Sequence, residues 1–162
     1  MMCVKSEMKV SWYAVRVTYG REKKFCAFLD GRGFETFVPA VSNLCFVKTL
    51  KSDLDEVMMD MGEACPARYM WDKATRLPII VPDKAMEDFI RISRIMADEA
   101  LYLSDISAKL RVGQKVRVLS GPFKDIEGVV VRVKRSRRVV VELPGLLAIA
   151  TTYIKPSELE IL

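Results

Sequence analysis

Histidine is missing altogether from this 162-residue chain. Its absence removes the commonest general base and with it every Ser-His or Cys-His nucleophile. Cys₂His₂ zinc sites are excluded for the same reason. The four cysteines, Cys3, Cys26, Cys45 and Cys65, contain no C-x-x-C pair, so no spacing suggests a closed four-cysteine site. Cys26 and Cys45 lie among apolar residues and read as buried small hydrophobes. No apolar run approaches the roughly 20 residues that span a bilayer. No apolar segment follows Met1-Met2-Cys3-Val4-Lys5-Ser6-Glu7, so these residues do not read as a signal peptide. Only carboxylate or lysine mechanisms are left to an enzyme. The expectation is a cytoplasmic, non-catalytic protein with no metal, cofactor or membrane partner.

Half of the chain is apolar (51%), which is enough to bury a core. Net charge is +5, with an isoelectric point near 9.1. The excess is unevenly placed. Val112 to Leu162 carries nine Lys and Arg against five Asp and Glu, so this short stretch holds +4 of the net charge. A basic excess of this kind suits an anionic partner.

Val10 to Val17, rich in aromatic and β-branched residues, predicts a strand. In Arg21 to Leu29, Phe25, Phe28 and Leu29 share one helical face, with Gly31 and Gly33 as stops. Phe34–Val38 and Leu44–Val47 predict two further strands. A second helix is expected with Ser52 as its cap, Asp55 at the capping-box position and Gly62 at its end. A fourth strand near Arg68–Trp71, a polar turn over Asp72–Arg76 and an extended Pro78–Val81 follow. Pro82 opens a last helix with Met86, Phe89, Ile90, Ser93 and Met96 in register. The order β-α-β-β-α-β-α predicts a ferredoxin-like α/β sandwich over residues 9–97. Residues 98–111 read as a linker, although Leu101, Leu103 and Ile106 would allow it to dock on a neighbour.

From Gln114 the pattern changes to period two. Short strands around 114–119, 127–133, 138–143, 146–152 and 159–162 predict a closed, or nearly closed, SH3-like β-barrel over 112–162, so the whole chain reads as α+β. Gly128 inside a strand pattern marks a close backbone approach or a tight bend. Lys134, Arg135, Arg137 and Arg138 form the densest charge cluster, at an expected hairpin tip. They suit RNA or an acidic protein surface, or they solubilise the hairpin and guard its edge. No aromatic residue interleaves with them, so base stacking is not indicated. Asp53, Asp55, Glu56 and Asp60 offer carboxylates without a second catalytic group and read as a solvated helix face.

Val116-Arg117-Val118-Leu119-Ser120-Gly121-Pro122-Phe123-Lys124-Asp125-Ile126-Glu127-Gly128-Val129-Val130 resembles a KOW motif. Trp12-Tyr13-Ala14-Val15-Arg16-Val17 followed by Gly20-Arg21-Glu22-Lys23 resembles the opening of the NusG N-terminal domain. The order of these parts resembles bacterial NusG over nearly the whole chain. Asn43–Val47 and Arg76–Ile90 look most like the UpxY-like paralogues of Bacteroides-type bacteria. The resemblance implies an antitermination factor for capsular polysaccharide operons that suppresses pausing and termination. It implies that an apolar patch, matched here by Tyr13, Val41, Leu44 and Phe46, grips the clamp of the largest RNA polymerase subunit. Those residues equally suit a core, since alternation allows each strand only one outward face. Arg16, Arg21, Lys23 and Lys24 would meet upstream DNA or nascent RNA, or form a solvated face. The barrel would recruit a second partner, a small-subunit ribosomal protein or Rho. An RNA-binding KOW protein associated with the ribosome is the rival reading.

Two features depart from the family. Only Ala40-Val41-Ser42 separates Pro39 from Asn43, where the family has a longer connection. Either an insertion was lost, or residues are missing from the sequence there, since Ala-Val makes a poor tight hairpin. Val41-Ser42-Asn43-Leu44 also replaces an aromatic-Pro-Gly-aromatic run.

Overall fold

A computed structural model describes residues 9–41, 43–103, 113–133 and 135–162. Its contacts divide the chain into two compact units, one up to Asp83 and one from Lys84 onward. No helix among the described residues is long and apolar enough to cross a membrane.

The first unit is organised by strand β1 (Ser11–Val17), whose residues are all buried except Arg16. Pleating sends Tyr13, Val15 and Val17 to one face and Trp12, Ala14 and Arg16 to the other. β1 pairs antiparallel with β3 (Leu44–Thr49), placing Tyr13 opposite Val47 and Arg16 opposite Leu44. β2 (Glu35–Phe37) lies beyond β3. The other edge of β1 is shared by β4 (Ala67–Tyr69) and β5 (Ile80–Val81), giving the order β2-β3-β1-β4 with β5 also on β1. Between β4 and β5 the chain loops out, and Asp72 Oδ1 accepts the Ala74 and Thr75 N–H groups at 2.7 and 3.1 Å. The polar turn expected there is an Asx-type turn.

Helices α1 (Glu22–Gly31) and α2 (Lys51–Met61) supply the apolar cover for one face of this sheet. Phe25, Cys26 and Leu29 from α1 and Leu54 and Val57 from α2 join Tyr13, Val15, Cys45 and Val47 in one cluster. Burying each large side chain is worth about 1.5–3 kcal/mol, so this cluster rather than helix propensity holds both helices. Cys26 and Cys45, expected as buried hydrophobes, are buried, and their sulfurs are joined as a disulfide. The expected helix ends need correction. α1 continues through Gly31, and the left-handed turn falls on Gly33, whose N–H donates to Asp30 O at 3.0 Å. The N-cap of α2 is Leu50, not Ser52, and it makes no side-chain cap bond. Asp55 makes no capping box because its carboxylate is taken by Lys51 Nζ at 2.7 Å and by the Tyr69 hydroxyl at 2.6 Å. Burial, and then the bond to Asp55, push the Tyr69 hydroxyl pKa well above its ordinary value. Gly62 ends α2 with φ +58°, as expected. Between β2 and β3 the chain does not make the tight Ala-Val hairpin. β2 stops at Phe37, and Asn43 takes the left-handed conformation (φ +70°) that asparagine tolerates. Ser42 lies outside the described residues.

In the second unit, helix α3 (Asp83–Met96) precedes β6 (Leu101–Leu103), β7 (Gln114–Val118), β8 (Glu127–Val133), β9 (Ser136–Leu143), β10 (Leu147–Tyr153) and β11 (Leu159–Ile161). The strands form one antiparallel path, β11-β7-β8-β9-β10-β6. Among the described residues that path has two ends and is not a closed ring. β6 falls inside the stretch expected as a linker and pairs with β10, Leu101 opposite Ala150 and Leu103 opposite Ala148. There Leu101 and Leu103 pack with Val129, Val131, Val140 and Ala150. Ile106 and the rest of 104–112 lie outside the described residues.

Met86, Phe89, Ile92 and Met96 form the buried face of α3, with Ser93 Oγ 2.9 Å from the Tyr102 hydroxyl. A polar stripe, Lys84, Asp88 and Arg91, recurs once per turn of the same helix. The Asp88 carboxylate, almost fully buried, takes Lys84 Nζ at 2.9 Å and the Glu127 N–H at 3.2 Å. Lys84 also reaches Asp125 O at 2.7 Å, and Arg91 reaches Lys124 O and Pro122 O at 2.7 and 2.9 Å. The turn at 121–126, bent by left-handed Gly121 and Asp125, thus has three of its carbonyls, those of Pro122, Lys124 and Asp125, satisfied by one helix stripe.

At Gly128 the close approach read from the sequence is present. A Cβ there would press on the Val140 carbonyl oxygen and lie 2.9 Å from Val139 Cγ1. Since the obstruction is backbone, Gly128→Ala is expected to cost about 1–3 kcal/mol, by the usual penalty of overpacking. A thermal or urea melt checks this, and an unchanged midpoint would refute the close packing of β8 on β9.

Candidate binding clefts

The apolar candidates of the first unit are placed on different faces. Tyr13 is 1% exposed in the helix-side core, the second of the two readings its sequence position allowed. Leu44 and Phe46 belong to the opposite face and are also buried, and Val41 is half-buried in the connection between β2 and β3. The structure therefore gathers no exposed patch from these four.

The four basic candidates are separated as well. Arg16 stands directly opposite Arg68 in the β1–β4 register, and among the described residues neither has a carboxylate partner. Like charges facing each other across strands are destabilising, so this pair is kept against a local cost. Arg16 and Arg68 line a cleft of about 330 Å³ with Thr18, Asn43 and Tyr19, the last 77% exposed. Beside it, Glu22 accepts the Asn43 N–H at 2.8 Å, and that bond holds its carboxyl below the usual range. Arg21 and Lys24 line a second cleft, with Phe25, Phe28 and Met61, that meets the first at Pro66. Lys23 is exposed on α1 and lines neither cleft. The carboxylates Asp53, Glu56 and Asp60 are exposed on α2, facing an open cleft that also holds Arg32 and Lys48.

The second unit has a cleft of about 480 Å³ between the β7–β11 end and the start of β9. Its floor is aliphatic (Val116, Val130, Val139, Ile154), and its rim carries Arg137, Arg138, Tyr153 and Ile161. Arg138 is held by bonds to Ser136 Oγ at 3.1 Å and Thr151 O at 3.4 Å. Arg137 faces Arg132 across β8–β9, and among the described residues neither has an acidic partner. Arg135 takes the turn position with φ +69°. Lys134 lies outside the described residues. No aromatic interleaves with the cluster in sequence, but β10 sets Tyr153 opposite Arg138. At the far side Arg117 bonds Glu127 at 2.9 Å and Glu160 at 3.0 Å, and its guanidinium pKa is raised first by the Glu127 bond.

Comparison with known proteins now bears on these clefts. Residues 112–142 match the family described as KOW motif. A solved structure described as "Domain interaction in Thermotoga maritima NusG" is 20% identical and covers 95% of this chain and 98% of that one, with a TM-score of 0.51. The fold is NusG-like. No curated protein matches the chain. Within this NusG-like fold the KOW match takes in the 121–126 turn, Gly128 and the arginines at the start of β9, while Tyr153, Ile154 and Ile161 lie beyond it. The sequence reading missed Arg68, Tyr19, Tyr153 and Ile161. Each becomes visible only through strand register, which places distant residues side by side. It also missed Trp71 and Leu77, 57% and 55% exposed on the loop between β4 and β5.

If the Arg16–Arg68 pair is an anion site, Arg68→Gln leaves the melting temperature no lower than before and weakens a labelled 20-nucleotide single strand. The salt slope of log K then falls by about 0.7, one phosphate contact. Unchanged affinity and slope would remove this cleft from consideration.

Proposed function

We propose that the chain is a transcription elongation and antitermination factor that binds RNA polymerase and suppresses pausing and termination. The observation that carries this reading is the NusG-like architecture along 95% of the chain, with a KOW motif in its C-terminal unit. The strand order β2-β3-β1-β4, with helices after β1 and β3, supports a ferredoxin-like first domain, and the short strands of the second unit support an SH3-like one. Under this reading the protein acts in the cytoplasm and catalyses nothing itself. It shifts the polymerase between conformations by binding one better than the other.

Polymerase contact is assigned to the sheet face of Leu44 and Phe46, with Val41 beside it. Both are buried in this structure, so their side chains must first be exposed. Tyr13 supports that face from the core and does not touch the partner. Arg16, now with Arg68, is assigned to upstream DNA or nascent RNA, and Arg21 and Lys24 to its flank. The C-terminal unit is assigned a second protein partner through Arg135, Arg137 and Arg138. A role in polysaccharide operons rests on the likeness of Asn43–Val47 and Arg76–Ile90 to UpxY-like paralogues.

Immobilised full-length protein is expected to retain core RNA polymerase from purified subunits, and Phe46→Asp or Leu44→Asp to lose it. Since either variant also disturbs packing, Arg76→Glu in the exposed loop serves as a folded control that retains the enzyme. No retention of the largest subunit by the unmodified chain would refute the reading.

A further inference from the structure

The cleft at the start of β9 combines an apolar floor with a cationic rim. Its floor is aliphatic, built from Val116, Val130 and Val139, and Ile161 stands 72% exposed at its lip. A large exposed aliphatic next to an apolar hollow gains free energy when something apolar covers both. Its rim carries Arg137 and Arg138. Arg132, outside the lining, faces Arg137 from β8, Arg135 turns the hairpin, and no described carboxylate pairs with these arginines. The carboxylates nearest in sequence to the cleft are engaged elsewhere, Glu160 with Arg117 and Glu158 with Ser120.

We propose that this cleft binds a protein segment that sets an apolar anchor residue in the hollow and places flanking carboxylates on Arg137 and Arg132. The charge chemistry alone also fits RNA, but the floor decides between them. A nucleobase carries several polar edge atoms, and each one buried without a partner costs free energy. The floor residues offer only aliphatic side chains, with Gln114 at the mouth. An aliphatic or aromatic side chain leaves nothing unsatisfied there. Acidic flanks would also relieve the Arg132–Arg137 repulsion, so the partner is recognised by both halves of the site. The inference rests on reading the second unit as a binding module and is independent of polymerase binding.

The test selects random dodecapeptides on the immobilised full chain and measures one selected peptide, fluorescein-labelled, in solution. The selected pool is expected to carry an aliphatic or aromatic residue flanked by Asp or Glu. Arg137→Glu and Ile161→Asp, both at exposed positions, are each expected to weaken the labelled peptide at least ten-fold with an unchanged melting profile. Arg21→Glu, in the other unit, is expected to leave it unaffected. A pool without acidic bias, no selected peptide at all, or binding indifferent to both cleft variants overturns the inference. So does a ten-nucleotide uridine RNA that binds more tightly than the peptide and is lost in the same variants. Polymerase retention by those variants is scored separately. If it persists while the peptide result fails, only this inference falls.

Discussion

A strand with neighbours on both edges and cover on both faces has no room for charge, and this constraint shapes both units. β1 is paired along its length and buried at every residue but Arg16. In β9 the three valines from Val139 to Val141 are buried in succession, so both faces are covered. Charge is confined to their exposed or half-exposed positions, Arg16 on β1 and Arg137, Arg138 and Glu142 on β9. At two of these Arg16 meets Arg68 and Arg137 meets Arg132. Each arginine pair carries a cost on the order of half a kcal/mol that a neutral pair would not. Arg16 and Arg68 line one cleft, and Arg137 of the second pair lines another. The cost is offset when an anion binds, which is the physical content of calling these places sites.

The turn at 121–126 shows the same accounting for backbone groups. A tight turn with two left-handed residues exposes carbonyls that a strand would have paired. Lys84 and Arg91 satisfy three of them from positions two turns apart on α3, while buried Asp88 between them neutralises Lys84 and accepts the Glu127 N–H. Losing Asp88 would leave the Glu127 N–H without its acceptor and Lys84 with only the Asp125 carbonyl and no counter-charge. The KOW match therefore covers a loop whose shape is maintained partly by residues outside it.

Much of the fold was legible because periodicity reports burial. The aromatic and β-branched run of β1 and the short strands after Gln114 stand where the sequence placed them, and on α1 Phe25 and Leu29 are buried while Phe28 is 38% exposed. Gly128 was readable for the same reason, since only a close neighbour explains glycine in a valine-rich strand. Helix ends were less legible. Ser52 has the right chemistry for a cap, but Asp55 had a stronger partner in Tyr69, which no local pattern reveals. The clefts were least legible. Tyr153 lies 15 residues beyond Arg138 in sequence and directly opposite it in space, and Arg68 reaches Arg16 only through the β1–β4 register. Tyr13, Leu44 and Phe46 are all buried although they lie on opposite faces, because alternation gives two faces without saying that both are covered.

We propose that this NusG-like chain acts on transcribing polymerase. Single-round transcription by its cognate RNA polymerase, on a template with a defined pause and terminator, measures it directly. With the protein added, the account predicts shorter pause half-lives and a larger fraction of read-through transcript. Unchanged pausing and termination, with the protein bound to the elongation complex, would contradict it.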